Sequence, residues 1–166
     1  FLSNYLPMKP GNIIDINTKK VVGQHGGVMY YTVGQRKGLD IGGIGPFYVI
    51  GKDVTKNELY VTDEEHQEWL YSTSCSIIDV NWLADRKLPL TCNAKFRYRQ
   101  QDNPVTVSLR EDGTLIASFP EKIRSVTPGQ EAVIYDGDTL VCGGKIDVVY
   151  QNDKDLMKEI LDTVNA

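Results

Sequence analysis

From Phe47 to Tyr150 the apolar residues come in short runs or at every second position, and turn residues separate the runs at near-regular intervals. The runs are Phe47 to Asp53, Glu58 to Thr62, Cys75 to Val80, Leu90 to Arg99, Val105 to Leu109, Leu115 to Phe119, Glu131 to Tyr135 and Leu140 to Tyr150. Runs of this length rich in Val, Ile, Tyr and Phe read as strands. Glu111-Asp112-Gly113 and Asp136-Gly137-Asp138 supply the residues that tolerate positive φ in hairpin turns. The pattern predicts a mainly β chain built as a small barrel or sandwich.

Ahead of Phe47, Ile13 to Ile16 and Val21 to Gln24 flank a polar link at Asn17 to Lys20 and read as a hairpin. Val28 to Val33 fits either a strand or a short helix, because a brief apolar run does not distinguish them. Five glycines and Pro46 make Gly34 to Pro46 a loop that carries Gln35-Arg36-Lys37. Phe1, Leu2, Tyr5 and Leu6 have helical spacing without a preceding cap, which predicts the end of a helix begun upstream. At the other end Leu156, Ile160, Leu161 and Val164 repeat at helical spacing, so a short amphipathic helix is expected, capped at Asn152 or Asp153.

Side-chain alternation gives one segment chemical interest. In a strand through Lys95-Phe96-Arg97-Tyr98-Arg99, the three cations share one face, while Phe96 and Tyr98 share the other with Leu90, Cys92 and Ala94. Two readings fit: a wet strand face that happens to be cationic, or a surface that follows phosphates. The chain of 166 residues has a formal net charge of −4, so any site for a polyanion is local and the molecule has no general basic field. Its acids gather at Asp63-Glu64-Glu65, at Glu111-Asp112 and after Asp153, leaving Arg36-Lys37 and Lys95 to Arg99 as the cationic clusters.

Catalytic signals are weak. There is no phosphate-binding G-x-x-x-x-G-K-[ST], and the glycines at Gly42, Gly43 and Gly45 lack the spacing of a dinucleotide fingerprint. Cys75, Cys92 and Cys142 are widely spaced and odd in number, which argues against a disulfide framework or a structural zinc site and for small core residues. His25 and His66 stand alone and read as surface or supporting residues. No apolar run reaches the length of a membrane span and no secretory signal opens the chain, so a globular, cytoplasmic protein without a membrane partner is expected.

The phrases "LPMKPGNIID", "GVMYYTVGQRKGL", "FYVIGKD", "LYSTSC", "AKFRYRQ" and "SVTPGQEAVIYDGD", in this order, closely resemble the second half of bacterial tRNA-specific 2-thiouridylases. The resemblance covers about residues 1 to 150. It implies a central domain at 1–72 and an antiparallel C-terminal β-barrel at 73–151; residues 152–166, a helical tail, lie outside the family pattern. It also implies an ATP-dependent tRNA-uridine 2-sulfurtransferase as the whole protein. In that family ATP, with magnesium, adenylates uridine 34 of the anticodon, and sulfur then arrives from a cysteine persulfide supplied by a sulfur-donor protein. The nucleotide loop and the catalytic cysteines of the family lie upstream of the position of Phe1, so this chain alone is expected to hold tRNA without catalysing.

The resemblance assigns tRNA contacts to Arg97, Tyr98 and Gln130, and directs attention to Lys95, Arg99, Arg36 and Lys37 as further RNA contacts. Arginine offers a planar fork to phosphate, tyrosine a stacking face, and glutamine a group that reads a base edge or ribose. Strict alternation sets Arg97 and Tyr98 on opposite faces, so contact by both requires the strand to end, bulge or reach a barrel rim nearby. In Thr127-Pro128-Gly129-Gln130, proline and glycine suit the second and third positions of a type II turn, leaving Gln130 to project from it. Rival functions are a docking platform for a sulfur carrier and a purely structural support.

Overall fold

Alternating burial and short connections between antiparallel strands generate most of the architecture. The computed structural model describes residues 9–36, 39, 41, 45–96 and 102–166. The chain divides into two compact units, Phe1–Leu70 with Met157–Ala166, and Tyr71–Leu156.

In the first unit β1 (Gly11–Asp15) and β2 (Val21–His25) form the expected hairpin. Its turn is organised by Asp15, whose Oδ1 accepts the Asn17 amide at 3.0 Å and whose carbonyl accepts the Lys19 amide at 2.7 Å. β3 (Phe47–Asp53) and β4 (Glu58–Asp63) pair antiparallel, and β4 runs parallel to β1, giving the order β2-β1-β4-β3. Ile13, Val28, Val49, Leu59 and Val61 form a common core. The ambiguous run after Gly27 resolves as a single 3-10 turn, Val28–Tyr30.

The amphipathic helix predicted at the C-terminus is present as α1 (Leu156–Asn165), with Ile160 buried. It lies across β3 where Gly51 leaves room: a Cβ there would meet the Met157 sulfur at 2.9 Å. The expected cap is corrected. Asn152 and Asp153 both have positive φ, 51° and 67°, and form the two-residue turn between β10 (Thr139–Gln151) and the short β11 (Lys154–Asp155). Asn and Asp serve left-handed turns as readily as helix caps, and here the hairpin takes them.

The second unit is a closed antiparallel barrel. β5 (Tyr71–Trp82), β6 (Leu90–Lys95), β7 (Asn103–Leu109), β8 (Leu115–Arg124) and β9 (Glu131–Asp136) join β10 in the order β10-β5-β8-β7-β6-β9, and the β9–β10 pairing closes the ring. Closure removes the sheet edges that an open sheet would expose. Cys75, Ile77, Ala94, Phe96, Val107, Leu115, Ile134 and Ile146 fill the interior. β6 follows the predicted alternation: Cys92, Ala94 and then Phe96 point inward and are buried, whereas Thr91 is exposed and Asn93 and Lys95 are half-buried. The strand was expected to continue to Arg99; β6 ends at Lys95, and Arg97 to Arg99 lie outside the described residues.

Candidate nucleic-acid interface

Antiparallel closure decides which residues meet at each end of the barrel. The last residues of β6, β8 and β10 and the first of β5, β7 and β9 share one rim. Lys95 is opposite Val133, two residues beyond the start of β9, and Ala94 is opposite Asn103 at the start of β7. The rim therefore gathers Lys95, Phe96 and Asp102 with the turn at Thr127 to Gln130 that leads into β9.

That turn has the geometry its residues imply. Gly129 has φ 90°, and the Gln130 amide donates to the Thr127 carbonyl at 3.3 Å. The positive φ at the third position is that of a type II turn. β10 clamps the turn from both sides: Gly129 N–H donates to the Ile146 carbonyl at 2.7 Å, and Ile146 N–H donates to the Gln130 carbonyl at 2.8 Å. The main chain of Gln130 is thus fully engaged, while its half-buried side chain is left to the rim.

Lys95 stands on the outer face of β6. Its Nζ is 3.6 Å from Asp102 Oδ1 and 5.6 Å from the centre of the Tyr135 ring. An exposed pair of this kind is worth little to stability, so the cation can exchange its partner for a phosphate at small cost. Arg97, Tyr98 and Arg99 lie outside the described residues, as does Lys37. Their described neighbours Phe96 and Asp102 both stand at this rim. Arg36 belongs to the other unit, where it is exposed at the end of a tight loop. Gly34 N–H donates to Val49 O at 2.7 Å and Val49 N–H to Gln35 O at 2.9 Å, which fastens that loop to β3.

Sequence reasoning missed a second set of cations and rings. Lys122 and Arg124, two apart on β8, lie over the Tyr71 ring at 5.8 and 6.0 Å, and Arg110 lies 5.3 Å from the Tyr150 ring. The spacing Lys122-x-Arg124 was the available signal; the tyrosine that they share is about fifty residues away and becomes their neighbour only through the β5–β8 pairing.

The isolated histidines have structural employment. Of the surface and supporting roles expected for His25, the structure shows the supporting one: the ring is buried, its Nδ1 accepts the Gly27 amide at 3.1 Å, and its Nε2 is 2.9 Å from the Asn57 carbonyl. The first bond places the ring proton on Nε2, which donates to the second. His66 is exposed and pairs with Asp63 at 2.6 Å. All three cysteines are free and buried. Burial pushes the Cys75 thiol up to about 12 and, with the neighbouring Cys92, the Cys142 thiol up to about 11. Among the described residues no cluster of three His, Cys, Asp or Glu could hold a metal ion. Among them, too, no helix is long and apolar enough to cross a membrane.

A four-stranded sheet followed by a closed six-stranded antiparallel barrel defines a two-unit β-barrel protein. Comparison with known proteins narrows this. A family model described as tRNA methyl transferase PRC-barrel domain matches residues 1–63, and one described as aminomethyltransferase beta-barrel domain matches residues 72–146. The tRNA-specific 2-thiouridylase MnmA of Listeria monocytogenes serotype 4b is 50% identical over 155 residues, 92% of this chain and 42% of the relative. That of Enterococcus faecalis is 52% identical over 163 residues, 94% of this chain and 43% of the relative. The protein named tRNA-specific 2-thiouridylase MnmA 2 in Geobacillus kaustophilus is 51% identical over 159 residues. The chain belongs to the tRNA-specific 2-thiouridylase family and carries its C-terminal part. It spans about two fifths of the length of the curated relatives it matches.

Proposed function

We propose that this chain holds tRNA for a protein that makes 2-thiouridine at wobble position 34, with the barrel, 73–151, as the main RNA-holding part. The observation that carries the reading is the clamped turn. Gln130 is held by β10 at the rim that also carries Lys95 and Phe96, the residues that precede Arg97 and Tyr98 in sequence. In this reading Arg97 takes a phosphate, Tyr98 stacks on a base, Gln130 reads a base or ribose, and Lys95 and Arg99 add phosphate contacts. Arg36 and Lys37 contribute from the central domain, 1–72. The role is orientation: the anticodon is held so that the reacting uridine meets groups supplied elsewhere in the whole protein.

The chain's own residues support that division of labour. Its cysteines are buried, with thiols raised away from the thiolate form, so none is suited to carry sulfur. ATP-dependent activation and persulfide transfer from a sulfur donor fall to residues other than these, in the cytoplasm. Arg97→Ala in the whole protein tests the reading: tRNA affinity should fall several-fold at moderate salt with the melting temperature unchanged. Undiminished affinity would return the stripe to an ordinary wet strand face.

A docking platform for a sulfur carrier is the second reading, and one observation favours it. At the opposite end of the barrel Trp82, Leu83 and Leu109 are exposed beside a groove of about 730 Å³ that Arg86 also lines. Trp82→Ala discriminates: lost binding of the carrier with tRNA affinity intact supports the platform, whereas unchanged carrier binding removes it.

A further inference from the structure

The outer wall of the barrel carries a row that the rim does not use. By register Tyr150 is beside Ser74, Ser74 beside Ser118 and Ser118 beside Thr106, so one ring and three hydroxyl side chains run across β10, β5, β8 and β7. Ser74, Ser118 and Tyr150 line an open groove of about 450 Å³, and Arg110 closes one side of it. The Arg110 guanidinium packs by the Tyr150 ring and donates from Nη2 to Tyr150 Oη at 2.9 Å, which holds an otherwise exposed cation over the groove. Beyond it, Tyr71 is opposite Arg124 in register, and Lys122 shares the same ring.

This wall is continuous with the rim. β8 carries Lys122 and Arg124 and ends three residues before Thr127, the first residue of the turn that presents Gln130. A floor of hydroxyls flanked by arginine and lysine is poorly matched to an apolar ligand or to the apolar centre of a protein interface. It matches a sugar–phosphate backbone, whose oxygens take hydrogen bonds from Arg, Lys, Ser, Thr and Tyr without regard to sequence. Asp153 at the groove and Glu121 beside Lys122 oppose an anion, so the affinity of this tract alone is modest.

We infer that the tRNA engaged at the rim continues along this wall, with Arg110 and Lys122 as phosphate contacts and Ser74 and Ser118 as hydroxyl contacts to phosphate or ribose. The inference rests on the RNA reading of the rim and extends its footprint from the anticodon toward the adjoining stem. Its chemistry is backbone recognition, so it sets register and orientation and does not choose among tRNAs.

The test uses the whole protein and an unmodified tRNA transcript, with affinity measured from low to moderate salt and the melting temperature recorded for each variant. Arg110→Ala and Lys122→Ala should each weaken binding several-fold and lessen the slope of log affinity against log salt by about 0.7–0.9, one phosphate contact. Arg110→Lys should keep the slope. If both alanine variants bind with the parent slope while Gln130→Ala weakens binding, the wall is excluded and the rim reading stands. If Gln130→Ala and Arg97→Ala also bind normally, the RNA reading itself fails. A lowered melting temperature for Arg110→Ala with an unchanged slope identifies Arg110 as a structural latch on Tyr150 and overturns its assignment; the exposed Lys122 then decides the wall by its own slope.

Discussion

Ile146 on β10 donates its amide to the carbonyl of Gln130 at 2.8 Å, so the residue expected to touch RNA is fixed through its backbone to the barrel wall. Because Pro128 and Gly129 set the turn and Ile146 holds it, the Gln130 side chain contributes little to folding. Gln130→Ala should therefore change stability by no more than about 0.5 kcal/mol, as for an ordinary surface substitution, while lowering tRNA affinity. Paired melting and binding measurements check it. A variant that loses stability and affinity together would show that the side chain braces the turn.

Phe96 should behave in the opposite way. It is 0% exposed and meets the Phe119 ring at 5.2 Å between centroids, one residue after the strand that carries the cationic face. Phe96→Ala should cost about 3–5 kcal/mol, the range for truncating a buried aromatic ring. Denaturant unfolding of the barrel should show the whole loss as a lower midpoint. A cost under about 1 kcal/mol would mean that the neighbours collapse into the vacated space.

What was legible in the sequence was whatever is fixed within a few residues. The alternation of Cys92, Ala94 and Phe96 against Thr91, Asn93 and Lys95 gave the facing of β6, and Asp136-Gly137-Asp138 gave the turn into β10. Ambiguity entered where one residue type serves two local geometries. Asn152 and Asp153 suit a helix cap and a left-handed turn equally, and only the pairing of Tyr150 with Asp155 selects the turn. For His25, beside two glycines, surface and supporting roles stayed open because its partner, the Asn57 carbonyl, arrives from another hairpin. For the site, the turn at Gln130 was readable from proline and glycine. The meeting of Tyr71 with Lys122 and Arg124 was not, since long-range strand pairing creates it.

The three cysteines should be slow to react in the native protein. Cys75 is fully buried, and burial raises all three thiols, with the charge of Asp136 adding to the effect at Cys92. Reaction requires a thiolate that the reagent can reach, so labelling at neutral pH should wait on opening of the barrel. A disulfide reagent should modify fewer than one thiol rapidly in the native chain and all three after denaturation. Fast stoichiometric labelling of one native thiol would reinstate a cysteine as a sulfur-relay candidate.

The pair His66–Asp63 predicts a pH effect whose sign follows from its geometry. Asp63 Oδ1 accepts the Glu65 amide at 3.1 Å and the His66 ring nitrogen at 2.6 Å, starting the 3-10 stretch Glu64–Leu70, which follows β4 and kinks at His66. The hydrogen bond to Asp63, opposed by desolvation and aided by the charges of Asp63, Glu68 and Glu65, holds the imidazolium above its ordinary value of 6.5. A raised value in the folded state means that the charged ring favours folding. That contribution is complete below the unfolded histidine value and disappears as pH rises through the higher folded value. The ring is solvent-exposed, so salt should weaken the effect. An NMR titration of the His66 ring should give a midpoint above that of a free histidine, and Asp63→Asn should bring it back down. If the midpoint is the same in both proteins, the contact does not hold the charged ring, and the 3-10 stretch depends on the Glu65 amide bond instead.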